Sequence, residues 1–380
     1  MKIALVSPYD FSVPGGVVKH IYYLAKHFRE MGHEVKVIAP CSREDAPLSE
    51  YLVKVSSLVV GIPSAGSVAR VSVSPLVYRK AKKILEEENF DVVHIHEPLT
   101  PMLPVAVLRH SESLNIGTFH AYRPDPHPVL EYSDVLLKRL ANKLDGRIAV
   151  SMAARDYISR YFPGDYRIIP NGVDLDFFQS MAKPIERFCD GRPNILFVGR
   201  LEKRKGFGFL LDAFKIVQAE IPQARLLVVG AFDDDDKKPF VEYVRRNRIH
   251  GVRFIGHVPE EELPRYYHTC DVFCAPSLGY ESFGMVLVEA MAAGKPVVAS
   301  AIPGYTEVVK SGAEGLLVPP GDPQALARAI IHLLNNPQLR EWMGEMGRRK
   351  AARYSWRQIA SEVLDYYREV AELKGKKLPK

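Results

Sequence analysis

Cysteine is scarce in this chain. Cys41, Cys189, Cys270 and Cys274 are scattered over 380 residues. The only close pair, Cys270 and Cys274, lies in an apolar, strand-like run with no second pair to complete a tetrahedral set. That argues against a disulfide framework and a structural zinc, and leaves reduced thiols of a cytoplasmic protein as the expectation. Long apolar runs are missing too. No window approaches the roughly 18 to 20 apolar residues of a spanning helix, and Met1–Ser7 is too short for a secretory leader. Any membrane contact therefore has to be peripheral. A large excess of one charge is also absent: 51 Lys and Arg stand against 45 Asp and Glu, a net charge of +6. This balance mildly favours anionic partners such as a phosphate-bearing substrate or an acidic lipid, and falls short of a dedicated nucleic-acid binder.

What is present is alternation. At 380 residues the chain exceeds one hydrophobic core, and two domains are expected. Lys2–Val6 reads as a strand, Pro8 to Gly16 as a turn, Val17–Met31 as a helix stopped by Gly32, and Glu34–Ala39 as a second strand. Gly15 and Gly16 allow a close backbone approach at a helix N-terminus, or are simply turn formers. Their spacing is not that of the dinucleotide fingerprint. Tyr51–Val60 reads as a strand and Gly61–Ser67 as a loop. The helix Leu76–Glu87 carries Arg79, Lys80, Lys82 and Lys83, a basic amphipathic surface for anionic lipid or a solvated face.

Strands over Phe90–Pro98 and Ile116–Arg123 end in polar tips, where open α/β sheets build their sites. His94 and His96 share one face and invite a metal assignment together with His120, but no carboxylate or cysteine is spaced to complete it, so no metal is expected. His120 can instead hydrogen-bond a transferred group, or be structural. The polar stretch Gln179–Pro193 is the best linker. Beyond it, Asn194–Arg200 is a strand leading into a loop where Arg200 and Lys205 can hold a diphosphate. Asp233–Asp236 with Lys237 and Lys238 reads as an exposed hairpin or loop. Ser277–Ser300 reads as loop, helix, turn and buried strand, with Glu281 and Glu289 bracketing a helix entrance suited to an anion.

Gly15-Gly16, Gly199-Arg200, Lys205-Gly206 and Glu281-Ser282-Phe283-Gly284 through Glu289 together resemble the retaining GT-B glycosyltransferases of family 4, over almost the whole chain. Within that family the N-terminal half is similar to the bacterial phosphatidylinositol mannosyltransferases. The residues that carry this are Ser7-Pro8-Tyr9-Asp10, Val13 to Val17, Gly66 to Arg70, the basic helix and His94-Ile95-His96-Glu97-Pro98; Val18 departs from the polar residue those enzymes tend to have.

The resemblance implies two Rossmann-like doubly wound domains facing across a cleft: residues 1–180 on the acceptor side, 181–355 binding a nucleotide sugar, and 356–380 a helix returning toward the first domain with a basic tail. It implies that Arg200 and Lys205 grip the donor diphosphate with the N–H groups of Phe283, Gly284 and Met285. Glu281 then meets sugar hydroxyls, Glu289 the ribose, and His120 the hexose. Gly16 approaches diphosphate and acceptor, while Tyr9 and Arg70 lie on the acceptor side. The implied donor is GDP-mannose, with a UDP-hexose as the alternative, and there is no tightly bound cofactor. The implied acceptor is phosphatidylinositol or a related anionic phospholipid at the inner face of the cell membrane, with Arg79, Lys80, Lys82 and Lys83 touching lipid. A soluble or different lipid acceptor, an idle nucleotide-sugar-binding protein and an epimerase are the competing readings.

Overall fold

A computed structural model of the chain describes residues 1–43, 50–64, 67–126, 135–179 and 182–379. Two compact units divide it, one formed by Met1–Gly172 with Trp356–Lys380 and the other by Val173–Ser355.

The sheet of the first unit is parallel and has the order β3-β2-β1-β6-β7-β8-β9. Its strands are β1 (Lys2–Val6), β2 (Glu34–Pro40), β3 (Leu52–Ser56), β6 (Val92–His96), β7 (Leu114–Phe119), β8 (Gly146–Ala149) and β9 (Arg167–Ile168). Ile3–Val6 and all of β6 and β7 are buried, as near-continuous apolar strands must be when helices cover both faces. From β1 the chain runs outward to β3 and then crosses back to β6, so the strand order reverses between β1 and β6. The loops leaving those two carboxyl ends flank the switch point where such sheets bind ligands. The helix Gly16–Glu30 starts there and buries Val18, Ile21, Leu24, Ala25 and Phe28, the spacing of a single helical face.

The closing helix, Trp356–Leu373, belongs to this unit. It buries Trp356, Ile359, Ala360, Val363, Leu364, Tyr367, Val370 and Ala371. Gly172 lies flat on the Trp356 ring, where a Cβ would come within 2.4 Å of it, and the indole stacks on Tyr23 with centroids 5.1 Å apart.

One stretch departs from the sequence reading. Tyr51–Val60 is not one strand: β3 ends at Ser56, whose hydroxyl accepts the Leu58 N–H at 3.1 Å. A separate antiparallel pair follows, β4 (Val59–Ser64) and β5 (Ser67–Ser72). The expected loop is thus largely strand, and Gly66 lies outside the described residues. Val60, Ile62, Val68 and Val73 stay exposed, as does Leu58 before them.

The second unit repeats the architecture in a six-stranded parallel sheet of order β12-β11-β10-β13-β14-β15. The strands are β10 (Asn194–Val198), β11 (Arg225–Val229), β12 (Val252–Gly256), β13 (Val272–Ala275), β14 (Val297–Ser300) and β15 (Gly315–Val318). Its switch point lies between β10 and β13, whose following loops carry Arg200 to Gly206 and Ser277 to Gly284. Asp233–Asp236, expected as an exposed loop, instead opens the helix Asp234–Arg246. Asp233 caps it by accepting the Asp236 N–H at 2.8 Å while Asp236 accepts the Asp233 N–H at 3.2 Å. Clustered carboxylates in a first turn complement the helix dipole.

Candidate active site

In the second unit the loop after β10 closes with one 3-10 turn, Lys203–Lys205, ended by Gly206 at φ +70. A Cβ at Gly206 would fall 2.0 Å from the Pro276 carbonyl oxygen, so only glycine lets this turn lie against the loop after β13. The Leu278 N–H donates to the Arg204 carbonyl at 2.8 Å and joins the two loops. Glu281 accepts from both Arg204 Nη1 at 2.5 Å and Lys205 Nζ at 2.7 Å through the same oxygen, Oε1. Glu202 receives the Arg204 Nε at 2.8 Å and Arg200 Nη1 at 3.3 Å. Three cations therefore meet two carboxylates at the end of the sheet, and Arg200, with 42% of its side chain exposed, faces solvent most openly.

Beside this cluster the chain enters the helix Met285–Ala292 through Gly284 at φ +87. A Cβ there would lie 2.6 Å from the Tyr305 ring. Among the described residues the N–H groups of Phe283, Gly284 and Met285 have no hydrogen-bond partner, as at the start of any helix, where such groups suit an anion. Phe283 is buried and packs edge-on against Tyr354. Tyr305 meets the Ser277 hydroxyl at 2.9 Å, and burial, followed by the charge of Glu281, pushes its phenol well up. Glu289, only 6% exposed, accepts from the Tyr267 hydroxyl at 2.9 Å.

The structure thus gathers Lys205, Glu281, Phe283, Gly284 and Met285 in one place, with Arg200 at its rim and Glu289 one turn further along the helix. Arg204 was missed by the sequence reading. In a loop of alternating charges nothing local says which cation reaches Glu281; the pairing is made across 77 residues.

In the first unit, Tyr9 pairs with Val71 in an isolated antiparallel bridge, and the Asp10 N–H donates to the Arg70 carbonyl at 2.9 Å. The turn after β1 and strand β5 therefore bring Tyr9 and Arg70 together, and Arg70 is exposed. Gly16, also exposed, is the first residue of its helix.

Behind them lies a nest of histidines. His96 Nδ1 and His120 Nε2 share a hydrogen bond of 2.9 Å, and His20 Nδ1 bonds Asn171 Oδ1 at 2.7 Å. His94 uses both nitrogens, toward Tyr367 Oη and Thr118 Oγ1, each at 2.6 Å. Burial holds these rings neutral: it lowers His20 to about 4 and His94 to about 3, and carries His96 and His120 well below the usual range. The grouping differs from the expected one. His94, fully engaged, is replaced by His20, whose donor atom lies within 4.8 Å of those of His96 and His120. His20 was invisible beforehand because it comes from a helix face distant in sequence. His120 is 8% exposed. Arg79, Lys80, Lys82 and Lys83 are all exposed on the helix Leu76–Glu88.

Residues 14–177 match the family model described as Glycosyltransferase Family 4, and residues 180–350 the one described as Glycosyl transferases group 1. Phosphatidyl-myo-inositol mannosyltransferase of Mycobacterium leprae is 39% identical over 372 residues, covering 98% of this chain and 97% of that protein. Its counterpart in Mycobacterium tuberculosis (strain ATCC 25618 / H37Rv) is 40% identical over 380 residues, with the same shares covered. The chain belongs to this family of glycosyltransferases. The enzyme is similar in structure to the sucrose-phosphate synthase from Thermosynechococcus elongatus, with a TM-score of 0.75 and 25% identity over 98% of this chain and 99% of that one. Its architecture is GT-B, with two Rossmann-like units, and it is a retaining glycosyltransferase whose donor is a nucleotide sugar. Among the described residues of this glycosyltransferase no helix is long and apolar enough to cross a membrane.

Proposed function

We propose that this glycosyltransferase moves mannose from GDP-mannose to phosphatidylinositol, with retention, while docked on the inner face of the cell membrane. The observation that carries the transfer chemistry is Glu281, held by Arg204 and Lys205 beside the unpartnered N–H groups of Phe283 to Met285. A nucleotide-sugar diphosphate brings two negative charges. Arg200, Lys205 and those N–H groups supply the cations and dipoles to meet them without a metal. As the diphosphate leaves, charge grows on its oxygens and an oxocarbenium-like centre forms at the sugar, so stabilisation of the leaving group is the main catalytic term. Lys205 is paired with Glu281. Arrival of the diphosphate offers Lys205 a stronger partner and leaves Glu281, still steadied by Arg204, to accept from sugar hydroxyls.

In this reading Glu289 receives the ribose, His120 contacts the hexose, and Gly16 lets the diphosphate and acceptor approach the backbone. Tyr9 and Arg70 hold the acceptor, with Arg70 on the lipid phosphate. The donor phosphate itself takes up the acceptor's proton on the face that it leaves, so the step needs no carboxylate base. The first unit is the acceptor side and the second the donor side. The basic helix supplies charge for anionic headgroups, and the exposed apolar residues of the β4–β5 hairpin supply side chains that prefer acyl chains to water.

The specific donor and acceptor rest on the kinship with phosphatidyl-myo-inositol mannosyltransferases across nearly the full chain. A screen of labelled GDP- and UDP-hexoses against phosphatidylinositol, other lipids and inositol phosphate tests them. Transfer of mannose to phosphatidylinositol is expected. Efficient transfer from a different donor, or to a soluble acceptor alone, refutes the assignment.

A further inference from the structure

Glu97 follows His96 at the carboxyl end of β6 and has φ +48, a left-handed backbone that residues with a Cβ seldom adopt. Its N–H donates to the Thr118 carbonyl at 2.8 Å, which ties the turn to the neighbouring strand. The unusual backbone is accompanied by a specific contact. Glu97 Oε1 accepts the N–H of His120 at 2.7 Å and that of Ala121 at 2.8 Å, both at the point where β7 gives way to loop.

His96, one residue earlier, is bonded to the His120 ring. The last residue of β6 and the one that follows it thus grip His120, one by its ring and one by its backbone. Burial raises the Glu97 carboxyl to about 6, with the two N–H donors pulling the other way. Tyr9 from the turn after β1 and Tyr157 from the helix Met152–Ser159 both feel its charge. Without that carboxylate the two N–H groups lose their acceptor, and the loop carrying His120 is free to settle elsewhere.

We propose that Glu97 is a positioning residue for sugar transfer: its carboxylate pins the His120–Ala121 backbone and thereby fixes the ring that meets the hexose. This rests on the reading that His120 contacts the transferred sugar. Small displacements of such a group cost catalysis steeply.

The test compares Glu97→Gln, Glu97→Asp, Glu97→Ala, His120→Ala and the double variant Glu97→Ala/His120→Ala by kcat, KM for the donor and thermal unfolding midpoint. Glutamine keeps an oxygen at the same reach, whereas aspartate keeps the charge one methylene short. Glu97→Ala and Glu97→Asp are expected to lower kcat by about 10-fold or more with donor KM little changed, and Glu97→Gln to stay within about 3-fold of the parent. The double variant should be no slower than His120→Ala, because residues acting through one another are not additive. The proposal is overturned if Glu97→Asp outperforms Glu97→Gln, if Glu97→Ala turns over normally, or if the two losses multiply. Should Glu97→Ala fail to fold, the order of Gln and Asp decides. A fully active His120→Ala would instead remove the reading of His120, and the proposal with it, whereas an impaired His120→Ala beside an active Glu97→Ala would remove the proposal alone.

Discussion

Arg204 and Lys205 end on the same carboxylate oxygen, and their consequences differ. Among the described residues Lys205 has one carboxylate partner, Glu281, whereas Arg204 also spans Glu202. Replacing Lys205 or Glu281 with alanine should therefore lower kcat by at least ~10²-fold, a few kcal/mol of transition-state stabilisation. Steady-state turnover close to the parent in both variants would contradict the donor site. The histidines give a second expectation at this scale. The folded-state values of His20 and His94 lie below the ordinary 6.5, at about 4 and about 3. The unfolded chain therefore binds more protons as pH falls, and the stability these rings contribute above pH 6.5 is lost on acidification toward those values. A shift of the size of His20's is worth on the order of 3 kcal/mol when complete. Denaturant unfolding at pH 7.5 and pH 5 should show the decline, and His20→Gln should flatten it; equal slopes would contradict a buried neutral imidazole.

The elements most legible in the sequence are those whose own residues decide them. Ser151 stands just before the helix Met152–Ser159, a residue type suited to cap it, and its hydroxyl accepts the Ala154 N–H at 3.0 Å. Pro323, whose missing N–H and fixed φ suit a first helical position, opens the helix Pro323–Leu334, and Asp322 caps it. Local chemistry suffices for such features. The hairpin Val59–Ser72 was less legible because, among the described residues, its strands pair with each other and meet the rest of the unit through the single Val71–Tyr9 bridge. Its apolar residues bury little, and periodicity reports burial more than pairing. Asp233 shows the opposite error, where a run of charge suggested loop although carboxylates are welcome at a helix start. The hairpin and the basic helix next to it carry one shared prediction. Sedimentation with vesicles containing anionic lipid should fall on raising salt and on changing Arg79, Lys80, Lys82 and Lys83 to Ser. It should also fall on changing Ile62 and Val68 to Asp, without a matching drop in the unfolding midpoint. Unaltered sedimentation in both variants would remove this surface from the membrane reading.

At the scale of the whole molecule, the alternation of strands and helices was enough to specify two doubly wound units, and the glycines at tight turns with the stretch from Glu281 to Glu289 carried the resemblance that implies a nucleotide-sugar donor. Each of these is written in contiguous residues, and physical chemistry reads contiguous residues well: a buried parallel strand is apolar along its length, and a helix entrance suited to an anion needs glycine and free N–H groups. The tertiary structure alone decided the partnerships between distant residues. It put Arg204 on Glu281, His20 among His96 and His120, and Glu97 under the backbone of His120. Those choices depend on which strand ends lie side by side at a switch point, and strand order is set by packing over the whole chain rather than by any local pattern.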